Sequence, residues 1–434
     1  MGHDERRGLG SSAPYTPEPM AQPPIRVIPL SCGATLLVEA AANGRSAALS
    51  WMVPVGTATD PLGCEGDSVL LAELCQRGAG GRSSREFSDS LDRLGVRRSV
   101  APGPMHLSVS IVSLGSNLLA ALPIITDLVR RPELPADSLE PARNLAVQAI
   151  EGLEDDPQEK VGLLLRERLL PPPFNRGGYG RIDDLNGTSI ERLRAAWHER
   201  AVPNGSIIGI AGDVDADAAA RTLDRLLGDW SGAFPEPVEA SPATMGVCHE
   251  ESESSQSHLA IGFKAPPESD PDALALRLAV RILGGGSSSR LFTEVRERRG
   301  LCYSVGASYS SGRDRGALSI YAGSTPERAQ ETVDCILKEV AAFEKGVTAE
   351  EFQRATVGQK SGLVMSGEST SARAASITAD WYRIGRPRSL DELAAEVDAV
   401  TLASLNDAIA RRMGSAWRGS MAAAVIGPKA LNFG

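Results

Sequence analysis

Residues 282–304 read ILGGGSSSRLFTEVRERRGLCYS, and three physical parts follow one another in them. Gly284, Gly285 and Gly286 form a flexible turn. Ser287 or Ser288 is placed to cap a helix that runs through Leu291, Phe292 and Val295. Gly300 stops that helix, and Tyr303 opens an apolar, β-prone strand. Arg296 and Tyr303 flank the helix end, so the two side chains can converge beside one strand edge. A weaker copy stands earlier, GAGGRSSREFSDSLDRLGVRRSV at 78–100, where Arg85, Phe87 and Gly95 repeat the spacing of Arg290, Phe292 and Gly300. The chain reads as a duplication in which the second copy alone carries the Arg/Tyr pair.

The surrounding patterns repeat in the same order. In the first half, 26–30 and 35–39 form a hairpin around Gly33, and 47–55 is a longer strand. A helix at 68–76 leads into the weak copy of the turn-helix unit. Residues 106–113 alternate: Leu107, Val109 and Ile111 face one way, His106, Ser108 and Ser110 the other, as in a half-buried strand. Helices at 116–131 and 136–153 follow, and an apolar strand at 206–211 and a helix at 217–227 close the half. Residues 231–254 are rich in Pro and polar residues and read as a linker. The second half repeats strand (258–263), helix (271–283), turn-helix unit, strand (317–322) and two helices (326–343, 348–365). The expectation is an α+β fold of two pseudo-symmetric domains, each a mixed, largely antiparallel sheet packed with helices. The boundaries are a tail at 1–25, a first domain at 26–230, the linker at 231–254 and a second domain at 255–434.

Composition fits two domains and excludes some functions. A chain of 434 residues exceeds one ordinary domain, and 42% hydrophobic residues suffice for two cores, filled by aliphatic side chains because aromatics reach only 4%. A formal net charge of −10 is unsuited to neutralising phosphates, so no nucleic-acid partner is expected. No apolar run spans a membrane; the best stretch, 118–129, is broken by Pro123 and Asp127. Arg6 and Arg7 have no apolar segment behind them, so no secretory signal is visible and a cytoplasmic location is expected. Cys32, Cys64, Cys75, Cys248, Cys302 and Cys335 include no CxxC pair and read as reduced thiols with no motif for nucleophilic use.

The quoted segment, extended to Val305, closely resembles the C-terminal signature of pitrilysin-like (insulinase-like) metallopeptidases, in the subfamily of processing peptidases. WMVPVGTATDPLGCEGDS, GLEDDPQEKVG and IIGIAGDVDADAAARTLDRLLGDW resemble further parts of that family in order, from about residue 25 to about residue 413. Active members carry an inverted zinc motif, HxxEH, whose two imidazoles share one helix face while the Glu activates the bound water. Here that segment is Leu70-Leu71-Ala72-Glu73-Leu74, with Leu at both histidine positions. The family's third ligand aligns with Ala149, next to Gln148. The residues agree independently of the family. Among His3, His106, His198, His249 and His258 no two stand at i,i+4, and His249, between Cys248 and Glu250 on a linker, makes a poor metal site. No metal site and no cofactor are expected in this chain.

Other features have plain readings. Glu73 is a remnant without a bound water to activate. The glycine turn lacks the GK[ST] ending of a phosphate loop. GDVD after a strand is a capping turn, and His106 is an exposed or hydrogen-bonded histidine. The resemblance gives Arg296 and Tyr303 a role as a clamp on the substrate carbonyl that supports the oxyanion in trans. It implies a non-catalytic subunit of a heterodimeric zinc metallopeptidase, with zinc in a homologous HxxEH partner and an extended peptide held between the chains. The alternative it leaves is a pseudo-enzyme scaffold or peptide-binding protein with no role in proteolysis, which would have no use for the pair.

Overall fold

The computed structural model describes residues 24–434 except 42, 43, 235, 415, 416 and 418. Most of the expected tail, residues 1–23, lies outside the described residues. The first half contains β1 (Arg26–Pro29), β2 (Thr35–Ala40), β3 (Ser46–Val53), the two-residue strands β4 (Gly78–Ala79) and β5 (Arg82–Ser83), β6 (Arg97–Pro102), β7 (Leu107–Leu114) and β8 (Ile207–Gly212). The second contains β9 (Gly246–Glu251), β10 (Ser257–Ala265), β11 (Cys302–Ser311), β12 (Gly316–Ser324) and β13 (Met421–Gly427).

The two main sheets have one topology. The first runs β1-β2-β8-β3-β7-β6 and the second β9-β13-β10-β12-β11. With β1 set aside, β2, β3, β6, β7 and β8 correspond in order to β9, β10, β11, β12 and β13. Even the exceptions match: pairing is antiparallel except at β2/β8 and at β9/β13, which are parallel. The two turn-helix units keep the symmetry, because Gly95 and Gly300 end them at φ +62° and +60°, where a side chain would be strained. The two-domain α+β reading is therefore met. The linker is shorter than read from sequence, since β9 occupies 246–251. Its GVCHEE sequence carries little apolar signal because the strand sits at a sheet edge with an exposed–intermediate pattern.

On one face each sheet carries helices of its own half. Those of the first bury Leu70, Leu118, Ile125 and Leu223, and those of the second bury Leu278, Ile282, Ile336 and Leu405. The opposite face is covered by a helix from the other half. Helix Pro157–Leu169 lays Val161, Leu165 and Leu169 against Ala260, Ala422, Ala424 and Ile426. Helix Thr370–Ile384 lays Ala374 and Ile377 against Leu37, Ala48, Ile207 and Ala211. The sequence reading had no sign of this exchange, because an amphipathic helix does not name the sheet it will cover.

Glycines permit the close approach. A Cβ on Gly209 of β8 would lie 2.6 Å from Thr378 Cγ2 and 2.7 Å from the Ala374 carbonyl, and one on Gly262 of β10 would lie 2.9 Å from both Leu165 and Leu169 methyl carbons. Gly209→Val is expected to destabilise the chain by about 1–3 kcal/mol through overpacking. A thermal melt superposable on the parent's would show that the exchanged helix does not need this contact.

Candidate functional site

Arg296 sits in the short helix Phe292–Arg298, wound with wide π-type turns. The expected cap by Ser287 or Ser288 is not made: the helix has no side-chain cap, and the Ser289 amide bonds the Gly286 carbonyl at 3.0 Å within the turn. The widened turn instead closes through its C-terminus, where Gly300 N–H donates to the Arg296 carbonyl at 3.1 Å and Leu301 N–H to Val295 at 2.9 Å. Ser324 and Thr332 hydroxyls bond the Leu301 carbonyl at 2.6 and 3.2 Å, and Arg328 donates to Gly300, so the corner is pinned from below.

The pinned corner aims two side chains outward. Cys302 pairs with Ser324 and Ser304 with Gly323, so Tyr303 is the extra residue of a β-bulge. A bulge re-aims its side chain, and Tyr303 is 74% exposed. Arg296 lies over the Phe292 ring, its guanidinium carbon 4.7 Å from the centroid. Glu294 neutralises the neighbours Arg298 and Arg299. Arg296 has no carboxylate partner among the described residues. Arg296, on the helix that leads into β11, and Tyr303, at the start of β11, are both exposed at this corner, and β11 is an edge strand of the second sheet.

Cys302 beside them is no nucleophile, because burial pushes its thiol up to about 11. On the adjoining strands, His258 Nδ1 lies 2.9 Å from the Tyr321 hydroxyl, a pair that the sequence reading left unremarked. The two are diagonal neighbours on antiparallel strands, His258 standing opposite Gly323 and Tyr321 opposite Ala260, so only the β10/β12 register reveals the pair.

The positions aligned with zinc ligands do not fit a metal. Leu70 and Leu74, on helix Asp67–Leu74, are fully buried in the first core, and Ala149 is an exposed methyl on helix Leu139–Glu151. Glu73 is tied down by Arg77, whose Nε donates at 2.9 Å. None of the replaced side chains has a donor atom for zinc. Among the described residues no three His, Cys, Asp or Glu side chains come together as a metal site. His249 belongs to β9, where it bonds the Gly427 carbonyl at 2.8 Å, and strand alternation turns Cys248 and Glu250 to the opposite face. GDVD is a cap as read: Asp215 accepts from the Asp217 and Ala218 amides.

Of the two readings of His106, exposed or hydrogen-bonded, the structure shows the second. It is buried, bonds the Gly205 carbonyl at 3.1 Å and meets the Tyr382 ring edge-on. Burial pushes its imidazole down to about 4, with nearby Arg313 acting in the same direction and Glu236 against it. Between that value and its ordinary one the unfolded chain binds the extra proton, so stability falls as pH drops through the window. From pH 7 to pH 5 the loss from this group is about 2 kcal/mol, given its folded value of about 4. Denaturation of the parent and of His106→Asn at both pH values checks this. The same pH dependence in the two proteins would refute it.

No helix of the described residues is long and apolar enough to cross a membrane. Comparison with known proteins places the chain. Residues 188–356 match the family model described as peptidase M16 inactive domain. The uncharacterized zinc protease YmxG of Bacillus subtilis is 26% identical over 383 residues, covering 86% of this chain and 92% of its own. A crystal structure of a peptidase M16 inactive domain from Pseudomonas fluorescens superposes with a TM-score of 0.84 at 21% identity, covering 94% of this chain and 99% of that one. A chain of complex III2 from Candida albicans gives a TM-score of 0.79 at 16% identity, covering 93% and 96%.

Proposed function

With the chain belonging to the M16 peptidase family, we propose that it is the non-catalytic subunit of a heterodimeric zinc peptidase, supplying substrate binding and transition-state support to a homologous HxxEH partner. One observation supports this reading: an exposed Arg296 with no carboxylate partner among the described residues and a bulged, exposed Tyr303 belong to the same helix-to-strand corner, in a chain with Leu70, Leu74 and Ala149 where active relatives hold ligands.

The partner's zinc supplies the activated water. This chain's part is to hold the peptide. β11 presents unpaired backbone groups to an extended segment, which adds as a strand. Backbone pairing gives affinity with little sequence preference, which suits a range of unfolded peptides. Arg296 and Tyr303 then lie where the carbonyl of the bound segment can receive a charged and a neutral hydrogen bond. Both strengthen as the carbonyl oxygen gains negative charge, so they favour the transition state over the ground state.

Three assays test the reading: peptidase activity of this chain alone, of an HxxEH relative alone, and of the mixture. Only the mixture is expected to be active at full rate. A partner equally active without this chain would end the proposal. Metal analysis of the purified chain is expected to find far less than one zinc per molecule, and stoichiometric zinc would overturn the assignment.

A second reading, a scaffold subunit without a role in proteolysis, has the complex III2 likeness in its favour. That likeness, at its low identity, carries the fold alone. A scaffold gives no reason for a free guanidinium and a bulged phenol at one sheet edge.

A further inference from the structure

The exchange of helices leaves a cavity between the halves, away from the Arg296 corner. Its volume is about 430 Å³, within the range of small-molecule sites. The tip joining β6 to β7, the tip joining β11 to β12, and both exchanged helices close around it. Met52, Met105, Phe174 and Tyr382 give it an apolar lining.

Its charges do not balance. Four arginines line it: Arg166, Arg313, Arg315 and Arg383. Arg313 is held bidentately by Glu236, at 2.8 Å to each carboxylate oxygen. Arg315 pairs with Asp314 at 2.9 Å, and Asp314 is the one carboxylate in the lining. Arg166 has carbonyl partners only: its Nε and Nη2 donate to Arg176 and Phe174, both at 2.9 Å. Burial depresses its pKa with no opposing carboxylate. Arg383 has no ion-pair partner among the described residues. One exchanged helix therefore brings the uncompensated Arg166 to the cavity, and the other brings Arg383, half-buried between this cavity and a neighbouring cleft that holds Glu268, Asp380 and Glu396. A desolvated cation without an anion is costly. The Arg166 fork keeps its Nη1 free of protein acceptors among the described residues, ready for a carboxylate oxygen.

We propose that this cavity binds a small amphipathic carboxylate, its apolar body among Met52, Met105, Phe174 and Tyr382 and its carboxylate on Arg166, with Arg383 as the second cation. The inference is independent of the peptidase reading, and its test uses the isolated full chain without any activity assay.

Hexanoate, octanoate and decanoate, with decanol as the neutral control, are titrated calorimetrically and by thermal shift. At least one carboxylate is expected to bind saturably and raise the melting temperature, with decanol roughly tenfold or more weaker. Arg166→Gln and Arg383→Gln should each weaken the carboxylate roughly tenfold. Arg383→Gln breaks no hydrogen bond or ion pair among the described residues, so it keeps the test valid if Arg166→Gln disturbs the loop it holds. Ala379→Leu, on the cavity wall of the exchanged helix, should abolish binding by filling the space. No saturable binding, decanol as tight as the carboxylates, or affinities unchanged in Arg383→Gln and Ala379→Leu would each overturn the proposal.

Discussion

If the proposed peptidase is reconstituted with its zinc partner, Arg296→Ala and Tyr303→Phe are each expected to lower its turnover by roughly a hundredfold, the cost of one oxyanion donor. Both side chains are exposed and neither supports the core, so the folded fraction and the melting temperature should match the parent. The loss should fall on kcat and kcat/KM together, because a donor aimed at the developing charge acts in the transition state and not in ground-state binding. A rise in KM with kcat intact would instead assign the pair to peptide binding alone. Arg298→Ala is the control: it removes an equal charge two residues away that Glu294 already neutralises, and it should leave turnover unchanged. Parent-like turnover in both Arg296→Ala and Tyr303→Phe would remove the pair from the chemistry.

The duplication was legible because its signals are local. Glycine at a helix end, an aromatic at fixed offset and alternating strands are visible in one chain without an alignment. Phe87 and Gly95 against Phe292 and Gly300 were enough to pair the halves, and the matching left-handed glycines show why the spacing persisted. The resemblance, not the residues alone, set Leu70, Leu74 and Ala149 at the positions where active members hold their ligands; that none of the three carries a ligand atom is plain from the sequence. What escaped was decided by distant segments. β9 has a polar sequence because it is an edge strand. The covering of each sheet by the other half's helix depends on Gly209 and Gly262 meeting residues more than ninety positions away. The bulge that turns Tyr303 outward is a property of its register with β12, and a strand's own sequence does not state its register. The hydrogen-bonded alternative for His106 holds, but its burial depends on Tyr382 of the exchanged helix, which the strand's own alternation does not reveal.

Arg373→Met should destabilise the chain by about 3–5 kcal/mol, the cost of leaving a buried carboxylate unpaired. Arg373 lies on the exchanged helix Thr370–Ile384 and Glu39 on β2 of the first sheet. Both are 5% exposed, and Arg373 Nε donates to Glu39 at 2.8 Å. The guanidinium also holds the Arg388 carbonyl at 3.0 Å, so it fastens the segment after the helix as well. The pair therefore joins the two halves electrostatically, where Ala374 and Ile377 join them by packing. Net stabilisation by a buried pair is small, because desolvation of both charges offsets their attraction. The double variant Glu39→Leu/Arg373→Met should accordingly recover most of the loss, although it retains the missing bond to Arg388. Denaturant unfolding of the parent, the single and the double variants separates the terms. If the double variant is as unstable as Arg373→Met, the bond to Arg388 and not the ion pair is what the arginine contributes. A single variant as stable as the parent would mean the exchanged helix is held by apolar contact alone, and the junction between the halves would then be indifferent to the charge buried in it.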